Sequence, residues 1–219
     1  MNKVYVCSDL HFRHNKDFLI NPRGFETVEA HDEAIVERWN SIVHDEDTVY
    51  VLGDLMLGGE DNEKAMSYLR QLKGQIKVVC GNHDTTNRIK LYKTLDNVEI
   101  LGFAYVIKYK KYIFYISHYP TLTSNQDEDK PLRARVINLC GHTHTNDKFY
   151  HWDKGLIYHV DMDAHDCRPV DLDVVIEEIR ERIQQDEDKK SAEIPFYPTA
   201  EPTPATLFSK IKNIFKRRK

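Results

Sequence analysis

The chain lacks most of the features that mark secreted, membrane-spanning or nucleic-acid-coating proteins. Its four cysteines, Cys7, Cys80, Cys140 and Cys167, are spread through 219 residues without a CxxC pair. That is too sparse for a disulfide framework. Three of them directly precede a polar turn at the end of an apolar run, which predicts small buried thiols and a reducing compartment. No apolar run approaches the roughly 20 residues of a membrane span. Met1-Asn2-Lys3-Val4 leads into a strand without a signal peptide's apolar stretch and cleavage site, so a cytoplasmic location is expected. Positive charge is not in excess. With 31 Lys and Arg against 35 Asp and Glu the net charge is −4, which gives no general affinity for nucleic acid. What is present, 41% hydrophobic and 30% charged residues, suits one globular domain with a tail.

Lys3 to Cys7 reads as a first, buried strand that delivers Asp9 and His11. Two residues apart in an extended segment, these point the same way. Thr27 looks like an N-cap for a helix whose Val28, Ile35, Trp39 and Ile42 share a face. Thr48 to Leu52 is a second strand, ending in Gly53-Asp54. A helix starting near Asp61 or Asn62 follows, with Ala65, Leu69 and Leu72 on its core face and Gly74 as its stop. Ile76 to Cys80 is a third strand, ending in Gly81-Asn82-His83-Asp84, where glycine permits a sharp turn. This βαβαβ order implies a mainly parallel sheet with ligands beyond its carboxyl ends. A short helix is expected over Asn87 to Leu95. Phe103 to Tyr109 and Tyr112 to Ile116 read as a hairpin ending at Ser117-His118. Thr121 to Pro131 reads as a loop, Val136 to Leu139 as a strand ending in Gly141-His142-Thr143-His144, and Ile157 to Val160 as another. Leu172, Ile176, Ile179 and Ile183 mark a closing helix.

Five strand ends thus carry metal-type groups: Asp9, His11, Asp54, Asn82, His118, His142 and His144. Two carboxylates, four imidazoles and an amide exceed the needs of one ion and suit two borderline metals. No cysteine sits at a ligand position, which argues against a structural zinc site. Any one of these groups alone is better explained as a turn, a cap or a satisfied histidine; their repetition is the signal.

The blocks Asp9-Leu10-His11, Gly53-Asp54, Gly81-Asn82-His83-Asp84, His118 and Gly141-His142-Thr143-His144 occur in the order of the calcineurin-like metallophosphoesterases, which the chain resembles over about residues 1–183. Ser8-Asp9-Leu10-His11-Phe12-Arg13-His14-Asn15 also resembles a branch of small microbial and phage members. The resemblance implies an α/β fold, a β-sandwich of two mixed sheets flanked by helices. It further implies that Asp9, His11 and His144 hold one metal, that Asn82, His118 and His142 hold a second, and that Asp54 bridges them. The implied activity is phosphoester hydrolysis, by in-line attack of hydroxide held between the ions. His83 is then the general acid for the leaving oxygen. Manganese is the favoured ion; iron, nickel and zinc fit the same donors.

Many relatives place an Asp three residues after the Gly-Asp aspartate, where it orients the catalytic histidine. Here Leu57 stands there, and Asp84 or a backbone carbonyl is the substitute. Arg13, His14 and Arg88 are the candidate substrate contacts, each weighed against a plain loop role. Asp161, Asp163, His165 and Asp166 form a further polar cluster, read as a turn in preference to a third metal site. With no long insertion or cap domain, an open site for a phosphodiester or phosphomonoester is expected, with a nucleotide-type substrate favoured over nucleic acid. A non-catalytic metal-binding scaffold of the same fold is the alternative. Residues 184–206, rich in Pro195, Pro198, Pro202 and Pro204, read as a linker. Residues 207–219 read as a short basic amphipathic tail, suited to an anionic membrane (and so to peripheral attachment), a partner protein or nucleic acid, weighed evenly against a plain disordered, solubilising tail.

Overall fold

Short runs of β-branched and aromatic residues set the first sheet, its first three strands each followed by a helix. Val4–Cys7 (β1), Thr48–Val51 (β2) and Gln75–Val79 (β3) pair in parallel, and Val98–Gly102 (β4) extends the sheet beside β3. Val170–Asp171 (β9) closes the other edge antiparallel to β1, giving the order β4-β3-β2-β1-β9. In the second sheet Ala104–Tyr109 (β5) and Tyr112–Ser117 (β6) form an antiparallel hairpin. Val136–Cys140 (β7) and Ile157–His159 (β8) add in parallel, in the order β5-β6-β7-β8. The computed structural model describes residues 2–57, 61–122 and 130–193.

The helices are Asp17–Ile20 (α1), Val28–Asn40 (α2), Asn62–Leu69 (α3), Thr86–Tyr92 (α4) and Leu172–Glu193 (α5). Thr27 caps α2 by accepting the N–H of Ala30 at 3.2 Å, as its side chain suggested. Ile35 and Trp39 on α2 and Leu69 on α3 are buried with Val49, Val51, Ile76, Val78 and Tyr92 in one core cluster. Each such side chain, fully buried, stabilises the fold by about 1.5–3 kcal/mol. All four cysteines are buried and free.

Three elements were not anticipated: α1, β4 and β9. All are short and lie at edges or connections, where periodicity gives little signal. The chain divides into two units, Met1–Arg180 and Glu181–Lys219. In the first, Leu172, Val175, Ile176 and Ile179 of α5 are buried. In the second, helix continues to Glu193, so residues 184–193 are helical rather than extended linker. Their polarity does not end the helix, because Gln, Glu, Lys and Ala are good helix formers. The proline-rich stretch beyond, the basic tail 207–219 and most of the 121–131 loop lie outside the described residues. Among the described residues no helix is long and apolar enough to cross a membrane.

Candidate metal centre

The carboxyl ends of β1, β2 and β3 and the ends of β6 and β7 meet at one place. Two glycines leave the room for this. A Cβ on Gly81 would stand 2.2 Å from Asp54 Oδ1, and one on Gly141 would stand 2.3 Å from Asp9 Oδ2. Gly81 is therefore required here by close approach of the backbone. The turns themselves are left-handed. Asp9, His11, Asp54, His142 and His144 all have φ between 49° and 72°, a conformation that costs a non-glycine residue about 1–2 kcal/mol. Asp9 and His11 were expected to converge along an extended segment. They do converge, but through two left-handed residues held by backbone bonds from Asp9 N–H to Gly53 O and from His11 N–H to Asp54 O, both 3.0 Å.

Asp9 Oδ1 lies 3.6 Å from His11 Nε2 and 3.7 Å from His144 Nε2, and the two Nε2 atoms are 3.2 Å apart. Asp54 Oδ2 lies 3.7 Å from His11 Nε2 and 3.4 Å from His118 Nε2. Asp54 thus stands between the two halves of the cluster. Asn82 Oδ1 sits 2.9 Å from His118 Nε2. The titratable groups form two converging sets, Asp9-His11-His144 and Asp9-Asp54-His118, with the ligand atoms of each within 4.8 Å of one another. His142 is exposed and belongs to neither set. Its N–H donates to Asp9 Oδ2 at 2.9 Å, and its ring packs 5.0 Å from that of His118 and 4.5 Å from that of Tyr119.

The donor set suits a cation. Asp9 Oδ1 is fully buried and has no hydrogen-bond partner, a costly state for a carboxylate oxygen that a bound ion relieves. Burial works against the charge on Asp9, yet its contacts with His11 and His144 hold its pKa below the usual carboxylate range. Asp54 is likewise lowered, with His118 overcoming burial. Burial disfavours the charged form of His118, but Asp54 and Asp9 more than offset it and push its pKa up to about 9. Burial lowers His11, despite its bond to Asp9.

Supporting contacts fix the ligand orientations. His118 Nδ1 donates to Leu52 O at 2.8 Å, leaving Nε2 inward. Asp161 Oδ1 accepts the N–H of His144 at 2.9 Å, and Asp163 Oδ2 meets His144 Nδ1 at 3.1 Å. The Asp161–Asp166 stretch, expected to be only a turn, thus braces the centre; it forms neither converging set. Its acidic residues were the sequence signal for this, but their partners were not legible.

His83 is partly exposed, with Nε2 3.9 Å from Asp54 Oδ2, and its N–H donates to Asp54 Oδ1 at 2.8 Å. Asp84 does not orient it. The two oxygens of Asp84 accept the N–H groups of Asp54 (2.8 Å), Gly81 (2.8 Å) and Leu55 (3.3 Å) and the Tyr92 hydroxyl (2.9 Å). It ties the second and third turns together instead.

The candidate substrate contacts separate. Arg13 pairs with Glu29 at 2.7 Å and Asp61 at 3.1 Å. Arg88 Nη1 donates to the carbonyl of His83 at 2.5 Å. His14 is buried behind His11, their Nδ1 atoms 3.3 Å apart. Burial, then His11 and His83, lower its pKa to about 3, so it stays neutral.

Two mixed sheets whose strand ends gather carboxylates and imidazoles define an α/β protein with a candidate metal centre. The sequence model of the calcineurin-like phosphoesterase superfamily domain matches residues 2–159, and the chain belongs to that superfamily. It is 30% identical over 184 residues to an uncharacterized protein of Methanocaldococcus jannaschii, covering 80% of this chain and 90% of that protein. It is 28% identical over 165 residues to the Gene 66 protein of Mycobacterium phage L5, covering 66% of this chain and 79% of the phage protein. A solved protein of unknown function from Aquifex aeolicus shares the fold, with a TM-score of 0.63 at 23% identity over 81% of this chain and 99% of that one.

Proposed function

We propose that the chain is a two-metal phosphoesterase that hydrolyses phosphodiesters of nucleotide type, with manganese as its working ion. The observation that carries this reading is the pair of converging ligand sets sharing Asp9, with Asp54 between them. Asp9, His11 and His144 would hold one ion and Asn82 and His118 the other, with Asp54 bridging and His142 joining the second. Mixed oxygen and nitrogen donors without thiolate suit such ions. When bound, they lower the pKa of water and draw charge from phosphoryl oxygens.

The chain's own residues supply the rest. Asp54 fixes the His83 backbone through its N–H, and Arg88 holds the same residue's carbonyl. The part-exposed imidazole of His83 then stands where it can give a proton to the departing oxygen. A diester is favoured over a monoester for a reason of charge. Arg13 is engaged by acids, Arg23 is bound by Asp163, and Arg88 is engaged by a carbonyl. The monoester's second negative charge therefore gains little from them.

The test is cleavage of bis-p-nitrophenyl phosphate and p-nitrophenyl phosphate by stripped, manganese-reloaded protein, with Asp54→Ala as control. Metal-dependent diester cleavage that the variant loses is expected. Two bound ions with no turnover of either ester would favour the scaffold reading.

A further inference from the structure

Beneath His144 runs a chain of buried polar side chains that the family motif does not include. Its centre is Arg23, whose side chain is 1% exposed. Arg23 Nε donates to Asp163 Oδ1 at 3.0 Å and Nη2 to Asp163 Oδ2 at 2.7 Å. Nη2 also donates to the carbonyl of Asp9 at 2.9 Å, and Nη1 to His31 Nε2 at 2.9 Å. His31 Nδ1 lies 2.9 Å from Asp32 Oδ1, and Asp32 Oδ2 accepts the N–H of Arg13 at 3.1 Å. At the other end, Asp163 Oδ2 lies 3.1 Å from His144 Nδ1.

A guanidinium only donates and keeps its charge. His31 must therefore accept through Nε2 and donate through Nδ1 to Asp32. Asp163, ionised against Arg23, only accepts. Arg23 Nη2 also lies 3.5 Å from His144 Nδ1, but its two hydrogens go to Asp163 Oδ2 and the Asp9 carbonyl at shorter range. The proton of neutral His144 then sits on Nδ1 toward Asp163, and its Nε2 lone pair is left facing His11 Nε2 and Asp9 Oδ1. One buried donor-only side chain thus sets the proton arrangement of two histidines, and the same side chain clamps the left-handed Asp9 turn through its carbonyl.

We propose that Asp163 and Arg23 are positioning residues for metal binding, holding His144 as the Nδ1–H tautomer with Nε2 as its ligand atom. This rests on the metal reading above. It goes beyond it in assigning the tautomer, and the residues that fix it, outside the ligand set. Partners of this kind change metal affinity by about 10–100-fold when removed.

Two measurements on the full chain test it. The first is long-range 1H–15N NMR of metal-free wild-type protein, at a pH above the His144 titration. It should show His144 protonated on Nδ1; the Nε2–H tautomer would overturn the proposal, whether or not the protein binds metal or cleaves esters. The second is manganese titration of Asp163→Asn, followed by metal content and electron paramagnetic resonance. One ion should weaken by about 10–100-fold while the other is retained, and Asp163→Glu should recover part of the loss. Both ions held within about twofold of wild type would overturn the proposal. A wild-type chain that binds no ion would refute the metal reading and the positioning role together, whereas an Nε2–H tautomer in a chain that does bind two ions would overturn the positioning role alone.

Discussion

The two flanks of the centre are braced by different means. On the His144 flank charged side chains do it: Arg23, Asp163 and Asp161 lock the ring and its backbone in a buried network. On the Asn82–His83 flank contacts to the backbone do it, with Asp54 and Arg88 holding His83 and Asp84 tying the turns. Asp84 gathers three backbone N–H groups and a tyrosine hydroxyl, and these bonds hold the turn and not the His83 ring. The first arrangement fixes donor atoms of the ring. The second fixes the turn and leaves the side chain 36% exposed. A fixed imidazole donor suits the proposed ligand role of His144, and a freer ring suits the proposed proton-donor role of His83.

The widest break in this comparison comes at the residue common to both flanks. Asp54→Ala should abolish ester cleavage, a loss of at least about 1000-fold, since it removes charge from both halves. Steady-state rates with saturating manganese check this, and retention of a tenth of the activity would contradict it. His83→Asn should cut kcat by about 100–10,000-fold while metal content stays at the wild-type value. Loss of an ion together with the rate would make His83 a ligand rather than an acid.

Asp84→Asn sharpens the backbone side of the comparison. It weakens hydrogen bonds to a charged acceptor, and should cost about 2–3 kcal/mol in urea unfolding. Tyr92→Phe removes one of those bonds and should cost about 1–2 kcal/mol. A variant of either as stable as wild type would show that the turns do not depend on this carboxylate.

The smallest effect is in pH. His118 has its pKa raised to about 9 in the metal-free protein. A raised histidine adds stability that is complete below its unfolded value, near 6.5, and fades as pH climbs through about 9. The same proton competes with the metal. The gain in Tm on adding manganese should therefore widen between pH 6.5 and pH 9, read by calorimetry at matched ionic strength. A gain that shrinks over this window would contradict it.

The side chains that gather at the candidate centre were legible because each lies within a few residues of a strand end, so local pattern and repetition sufficed. The parallel order of β1, β2 and β3 followed from the same pattern. The bracing was not legible. Arg23 and Asp163 are 140 positions apart in sequence, and nothing near Arg23 distinguishes it from a loop arginine. Asp84 was visible as a carboxylate, but its role depends on the close approach that Gly81 permits. The left-handed turns at Asp9 and His11 went unseen because their residue types do not demand that conformation. The end of α5 was misplaced because polar helix formers and polar linker share a composition.

The central claim is that two ions share one acidic core. Anomalous diffraction from manganese-soaked crystals tests it most directly. The account predicts two peaks about 3.5–4 Å apart, one against Asp9, His11 and His144 and one against Asn82 and His118, with Asp54 between. A single peak, or two that leave Asp54 without a bound ion, would contradict it.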